Sequence, residues 1–127
     1  MHKSVMIALA LAGFAGESLA ADFVMPMNTT RQVGVRYSLH EDCTSAGETV
    51  IRITGAPTHG NVAVKTGSDY PNYPLDNPRK ICNARKVKST QVWYTPQRNF
   101  VGSDTISVDV LYPSGNSVQT TYTIAVR

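Results

Sequence analysis

Apolar and polar residues alternate one for one along much of this chain. Beyond the first 20 residues no window carries the sustained 3.6-residue apolar spacing of an amphipathic helix. A chain written this way can bury one face only as β-strands, whose successive side chains point to opposite sides. Val33, Val35, Tyr37 and Leu39 alternate with Gln32, Gly34, Arg36 and Ser38; Ile51 and Ile53 flank Arg52; Gly60 opens a short strand with Val62 and Val64; Val92 and Tyr94 flank Trp93. Ile106, Val108, Val110 and Tyr112 form one stripe, and Val118, Thr120, Tyr122, Ile124 and Val126 another. Pro113-Ser114-Gly115-Asn116 between these last two is a turn signal, so they form a hairpin. With a short strand near Phe23–Met27 this makes about seven strands in about 105 residues, which predicts an all-β, two-sheet antiparallel sandwich.

The first 20 residues read as an address. Lys3 precedes an apolar run from Val5 to Ala15, Gly16 breaks it, and Ser18-Leu19-Ala20 offers small residues where a signal peptidase reads. The run is too short for a transmembrane helix, which needs about 20 residues, and no other stretch is apolar enough. The expected organisation is a signal peptide over 1–20 and one domain over 21–127, exported to the periplasm or secreted and not membrane-spanning. No cysteine follows the run, so a lipid anchor is not expected.

Removing the leader takes Lys3 and Glu17 and leaves the net charge at +3, too mild to point to nucleic acid. Cys43 and Cys82 lie in the mature part, 39 positions apart. In an oxidising compartment a disulfide is the expected state, ahead of a two-thiol metal site or a nucleophilic cysteine.

Val92-Trp93-Tyr94-Thr95-Pro96, followed by Asn99-Phe100-Val101-Gly102-Ser103-Asp104-Thr105-Ile106, resembles the Y-x-P, F-x-G-x-D signature of bacterial immunoglobulin-like and cadherin-like repeats. Ala56-Pro57-Thr58-His59-Gly60-Asn61-Val62 is similar to their P-x-x-G-x-V turn, and the last hairpin to their closing strands, although the aspartate of that ending is missing. The resemblance covers roughly residues 50–127. It implies an immunoglobulin-like sandwich, no catalytic residues, and a role as spacer or binding module. Such repeats come in tandem; this chain has one copy, a leader and a cysteine pair. Physically, Pro96 ends a strand because it cannot donate to a ladder, Phe100 plugs the bottom of the core, and Gly102 permits the turn that Asp104 caps with its carboxylate.

Residues suited to catalysis are sparse. His40 sits in His40-Glu41-Asp42 beside Cys43, and His59 in the Pro57–Gly60 turn; a solvated loop and a turn are the expected roles. No nucleophile elbow, zinc-binding helix or phosphate-cradling glycine loop occurs, so no enzyme activity is expected. No cofactor or metal site is expected either. Met25-Pro26-Met27 could offer two thioethers to copper, with His40 as a further candidate ligand, and a periplasmic copper-handling sandwich is the alternative reading; a short apolar edge strand is the simpler one. An amino-terminal copper site would need histidine where Phe23 stands. Asn28-Thr29-Thr30 fits the N-glycosylation pattern, which the bacterial resemblance makes moot.

The candidate binding surface is the segment 69–88. Asp69-Tyr70-Pro71-Asn72-Tyr73-Pro74-Leu75-Asp76-Asn77-Pro78 is too proline-rich for an inner strand and predicts an extended, exposed loop. Arg79, Lys80, Arg85, Lys86 and Lys88 follow, and no acidic residue stands between Asp76 and Asp104. Tyr70 and Tyr73 would offer flat rings to a sugar or peptide, and the cations would favour an anionic partner. The expected function is a non-enzymatic interaction module of the cell envelope, its partner an anionic glycan or a protein; a purely structural domain is the remaining reading.

Overall fold

The computed structural model describes residues 20–127, so the leader reading lies outside the described residues except at Ala20. Seven strands follow in order: β1 Phe23–Met25, β2 Arg31–Arg36, β3 Val50–Gly55, β4 Gly60–Asp69, β5 Val87–Pro96, β6 Gly102–Leu111 and β7 Ser117–Val126. They form two sheets, β1-β7-β6-β3 and β2-β5-β4. Setting β2, β4 and β5 against β3, β6 and β7 is the division of an immunoglobulin-like sandwich, with β1 moved across to the second sheet. Every pairing is antiparallel except one: β1 runs parallel to β7, from Phe23 opposite Ile124 to Met25 opposite Val126. No helix among the described residues is long and apolar enough to cross a membrane.

The stripes read from sequence supply most of the core, except that Val64 and Val118 are exposed and Val35 is only half-buried. Ile106, Val108 and Val110 of β6 and Ile124 of β7 are fully buried, facing Val92 and Tyr94 of β5. The β6–β7 hairpin keeps register over ten residues and turns at Gly115, whose φ of +96° suits glycine. β4 is longer than its apolar pattern announces. It is the edge of its sheet, without a large apolar residue beyond Val64, and is held by pairing with β5 from Gly60–Pro96 to Asp69–Val87.

The family-like motif closes one end of the sandwich, where the β1–β2, β3–β4 and β5–β6 connections meet. Asp104 is buried there. Its carboxylate accepts from the backbone N–H of Thr58 (2.9 Å) and His59 (3.0 Å), from the Tyr94 hydroxyl (2.6 Å) and from the N–H of Thr105 (3.0 Å). The expected cap therefore falls on the Pro57–Gly60 turn, not on the turn at Gly102, because Asp104 points inward toward the neighbouring connection. Phe100 packs against the core as expected and stacks on His59 at 4.5 Å. Asn28 and Asn99, both at positive φ, hold two connections together: the Asn99 N–H donates to the Asn28 side chain, whose amide donates to that of Asn99.

Candidate functional site

The opposite end gathers the β2–β3, β4–β5 and β6–β7 connections. The segment 69–88 is the tip of the β4–β5 hairpin, and it is not one extended loop. A 3-10 helix spans Pro78–Ala84, with the Asn77 side chain capping it by accepting from the Arg79 N–H at 2.8 Å. Asn-Pro is the sequence signal for that start: an N-cap followed by a proline that needs no partner for its missing N–H.

Cys82 on this helix is disulfide-bonded to Cys43 of the β2–β3 crossover, as expected, with the Cα atoms 5.4 Å apart. Leu39, Val87, Tyr37 and Tyr73 pack around the bridge as a second, smaller core. The tip is also tied by hydrogen bonds. The Asn72 N–H donates to the Tyr37 hydroxyl (2.8 Å), the Arg79 Nε to the Leu39 carbonyl (2.8 Å), and the Tyr73 backbone exchanges two bonds with the Asn83 side chain. A segment held this firmly is ordered before any partner arrives, which lowers the entropy cost of binding.

The predicted site residues divide accordingly. Tyr70 is exposed, with the Lys86 ammonium 5.8 Å from its ring centre, and Lys80, Arg85 and Lys88 are exposed too. Leu75 and Ile81 stand out on the same tip at 84% and 65% exposure, an apolar contribution the sequence reading did not weigh. Tyr73 and Arg79 are half-buried. Tyr73 meets Tyr37 edge-on at 5.5 Å, and burial, followed by the field of Tyr37, raises its pKa.

Beside this tip lies a feature that the sequence reading assigned to an ordinary strand face. A β-bulge between Gln32 and Gly34 shifts the register of β2 against β5, and such a one-residue shift exchanges inner and outer positions. Beyond it Arg36 pairs with Thr90, whose hydroxyl points inward to the Thr49 carbonyl. Arg36 thus enters the space between the sheets, half-buried, and donates to the Thr120 hydroxyl (3.1 Å) and the Tyr112 hydroxyl (3.4 Å) across the gap. Its hydrogen bonds reach no carboxylate among the described residues.

Two clefts open on either side of Arg36. One, of about 300 Å³, is walled by Phe23, residues 32–36 of β2 and Tyr122; the other, of about 290 Å³, by Val35, Tyr37, Tyr73 and Tyr112. Tyr122 is buried, and its hydroxyl has no hydrogen-bond partner. That hydroxyl lies 2.5 Å from where a Cβ on Gly34 would stand, so a side chain there would have to displace Tyr122. Burial lowers the pKa of Arg36, but the nearby phenols of Tyr122 and Tyr112 outweigh it, and the guanidinium keeps its proton.

The remaining candidates do not converge. Met25 is sealed in the core while Met27 is exposed beyond the strand end, so the two thioethers do not face a common ion. His40 belongs to a tight exposed turn, closed by its carbonyl on the Cys43 N–H and by Asp42, which accepts from the Thr44 N–H and hydroxyl. No group of three or more His, Cys, Asp or Glu side chains that could hold a metal occurs among the described residues. No family model matches the chain, and neither a curated protein nor a solved structure does.

Proposed function

We propose that this chain is an exported, non-enzymatic binding domain of the cell envelope whose partner is an anionic glycan. The observation that carries the reading is the β4–β5 tip: a disulfide-anchored hairpin end that presents Tyr70 under Lys86, with Lys80 on its 3-10 helix and Arg85 and Lys88 just after it also exposed. A pre-ordered, aromatic and cationic surface suits a polymer that carries regularly spaced negative charge and stacks its sugar rings. The motif likeness to bacterial immunoglobulin-like and cadherin-like domains supports the same class of role, since its signature residues are spent on closing the far end of the sandwich and leave this end free to bind.

The test is a thermal-shift and binding titration of the mature, oxidised protein with polygalacturonate and with a neutral polymer, at low and moderate salt. The expected result is a salt-sensitive shift with the polyanion alone, lost in Lys80→Glu/Lys86→Glu and weakened in Tyr70→Ala. Equal responses to both polymers, or no response to either, would overturn the reading in favour of a protein partner or a purely structural role.

A further inference from the structure

The clefts flanking Arg36 differ in kind from the exposed tip. A half-buried cation whose fixed partners are hydroxyls is short of a counter-charge, and the buried Tyr122 hydroxyl at the wall of the same cleft is short of a partner. A buried polar group left unpaired keeps its full desolvation cost, and a ligand that satisfied both groups would recover that cost on binding. The site supplies one positive charge on a planar fork of N–H donors, which matches a carboxylate held two-pronged better than a dianion. Its walls are aromatic and its volume, about 300 Å³ on one side of Arg36, is at the lower end of small-molecule sites.

We propose that Arg36 is the specificity-determining anchor of a carboxylate site between the sheets, where a uronic acid residue places its carboxylate on the guanidinium, accepts from the Tyr122 hydroxyl, and lays its ring against Phe23 or the Tyr112 and Tyr37 rings. The proposal rests on the glycan reading and deepens it, naming the acid group that is read and where. The bulge at Gln32–Gly34 is the device that creates the site, since it turns Arg36 inward. Gly34 is its companion, because any larger residue would displace Tyr122.

The experiment titrates the mature, oxidised protein with galacturonic acid and with galactose, following the tyrosine side chains by NMR, and repeats the titration with polygalacturonate. Galacturonic acid should perturb Tyr112 and Tyr122 while galactose does not. Arg36→Lys should weaken the monosaccharide at least about tenfold, because a point charge replaces the fork. Tyr122→Phe keeps the ring and removes only the hydroxyl, so it should fold yet bind severalfold more weakly; it keeps the test sharp if Arg36→Lys folds poorly. Lys86→Ala should weaken the polymer more than the monosaccharide. Equal binding of galactose and galacturonic acid, or unchanged galacturonic acid binding in Tyr122→Phe, would overturn the Arg36 site. If the polymer binds but the free acid does not, the Arg36 site falls and the tip survives; if neither binds, both readings fall.

Discussion

The Tyr94 hydroxyl donates to the Asp104 carboxylate at 2.6 Å inside the closed end of the sandwich, and both side chains are almost wholly buried. That bond joins β5 to β6, which lie in opposite sheets. The other bonds of Asp104 fix the Pro57–Gly60 turn, so a single carboxylate holds together both sheets and a crossover.

Asp104→Ala strips the acceptor from two backbone N–H groups of that turn and from a buried phenol. It should cost about 3–5 kcal/mol, whereas Tyr94→Phe, which leaves the turn bonds intact, should cost about 1–2 kcal/mol. Urea unfolding of both single variants and the double variant checks this. Strict additivity would show that the two groups do not act together.

Burial, with the hydrogen bond to and charge of Asp104 added, raises the Tyr94 pKa. The folded state therefore holds this proton more tightly than the unfolded chain. The corresponding stability is fully present below the ordinary tyrosine value of about 10 and is lost as the pH rises beyond it. Unfolding midpoints measured between pH 8 and 11 should fall at the alkaline end, and less steeply in Tyr94→Phe.

Gly60 begins β4 where a Cβ would stand 2.5 Å from the Thr95 carbonyl oxygen and 2.7 Å from the Tyr94 ring. Gly60→Ala must push apart a backbone and a buried ring, and should cost about 1–3 kcal/mol. Gly115→Ala has open space but a φ of +96°; it should cost less, about 1 kcal/mol, from backbone strain alone. Calorimetry that ranks the two in the reverse order would contradict this packing account.

Cys43→Ser/Cys82→Ser should lower stability by roughly 4 kcal/mol, less any relief of native strain, for a loop of this length. The effect should concentrate at the binding end. Hydrogen exchange should speed up first in 70–84 and around Tyr37, with the β6–β7 hairpin protected until global unfolding.

Asp69 sits at the end of β4 and accepts from Ser89 (2.5 Å), Gln91 (2.7 Å) and Gln32 (3.2 Å). Burial raises its pKa, but these hydrogen bonds and the charge of Lys86 prevail and hold it below the ordinary carboxyl value. Its contribution is therefore present above about pH 4 and lost as the pH falls through the lowered folded value. Asp69→Asn should flatten the unfolding midpoint between pH 2 and 5; an unchanged acid profile would place that dependence on other carboxyls.

Much of this molecule is local and so was legible. The alternating stripes of Ile106–Val110 and Tyr122–Val126 identify strands and their buried faces because side-chain direction in a strand depends only on position parity. The Pro113–Asn116 turn sets one hairpin. Two cysteines and a leader-like start are enough to expect a disulfide. The polar second half of β4 escaped notice because an edge strand hides neither face, so its place depends on hydrogen bonds to β5 and not on its own pattern. Tyr70 and its neighbouring lysines could be read as exposed from composition alone, but Tyr73 could not be placed, since its packing partner Tyr37 is 36 positions away.

Arg36 marks the boundary between the two kinds of information. By parity it belongs with Gln32 and Gly34 on the polar side of a strand whose Val33 and Val35 face in. One extra residue at the bulge reverses that parity and sends the guanidinium between the sheets toward Thr120 and Tyr112. The alphabet of strands, turns and the cysteine bridge is written in the sequence, because each depends on neighbours within a few residues or on redox compartment. Where β2 slips against β5, and hence what the cleft contains, was decided only by tertiary structure: register is set by the packing of distant strands, and a slip of one residue exchanges every inward side chain for an outward one.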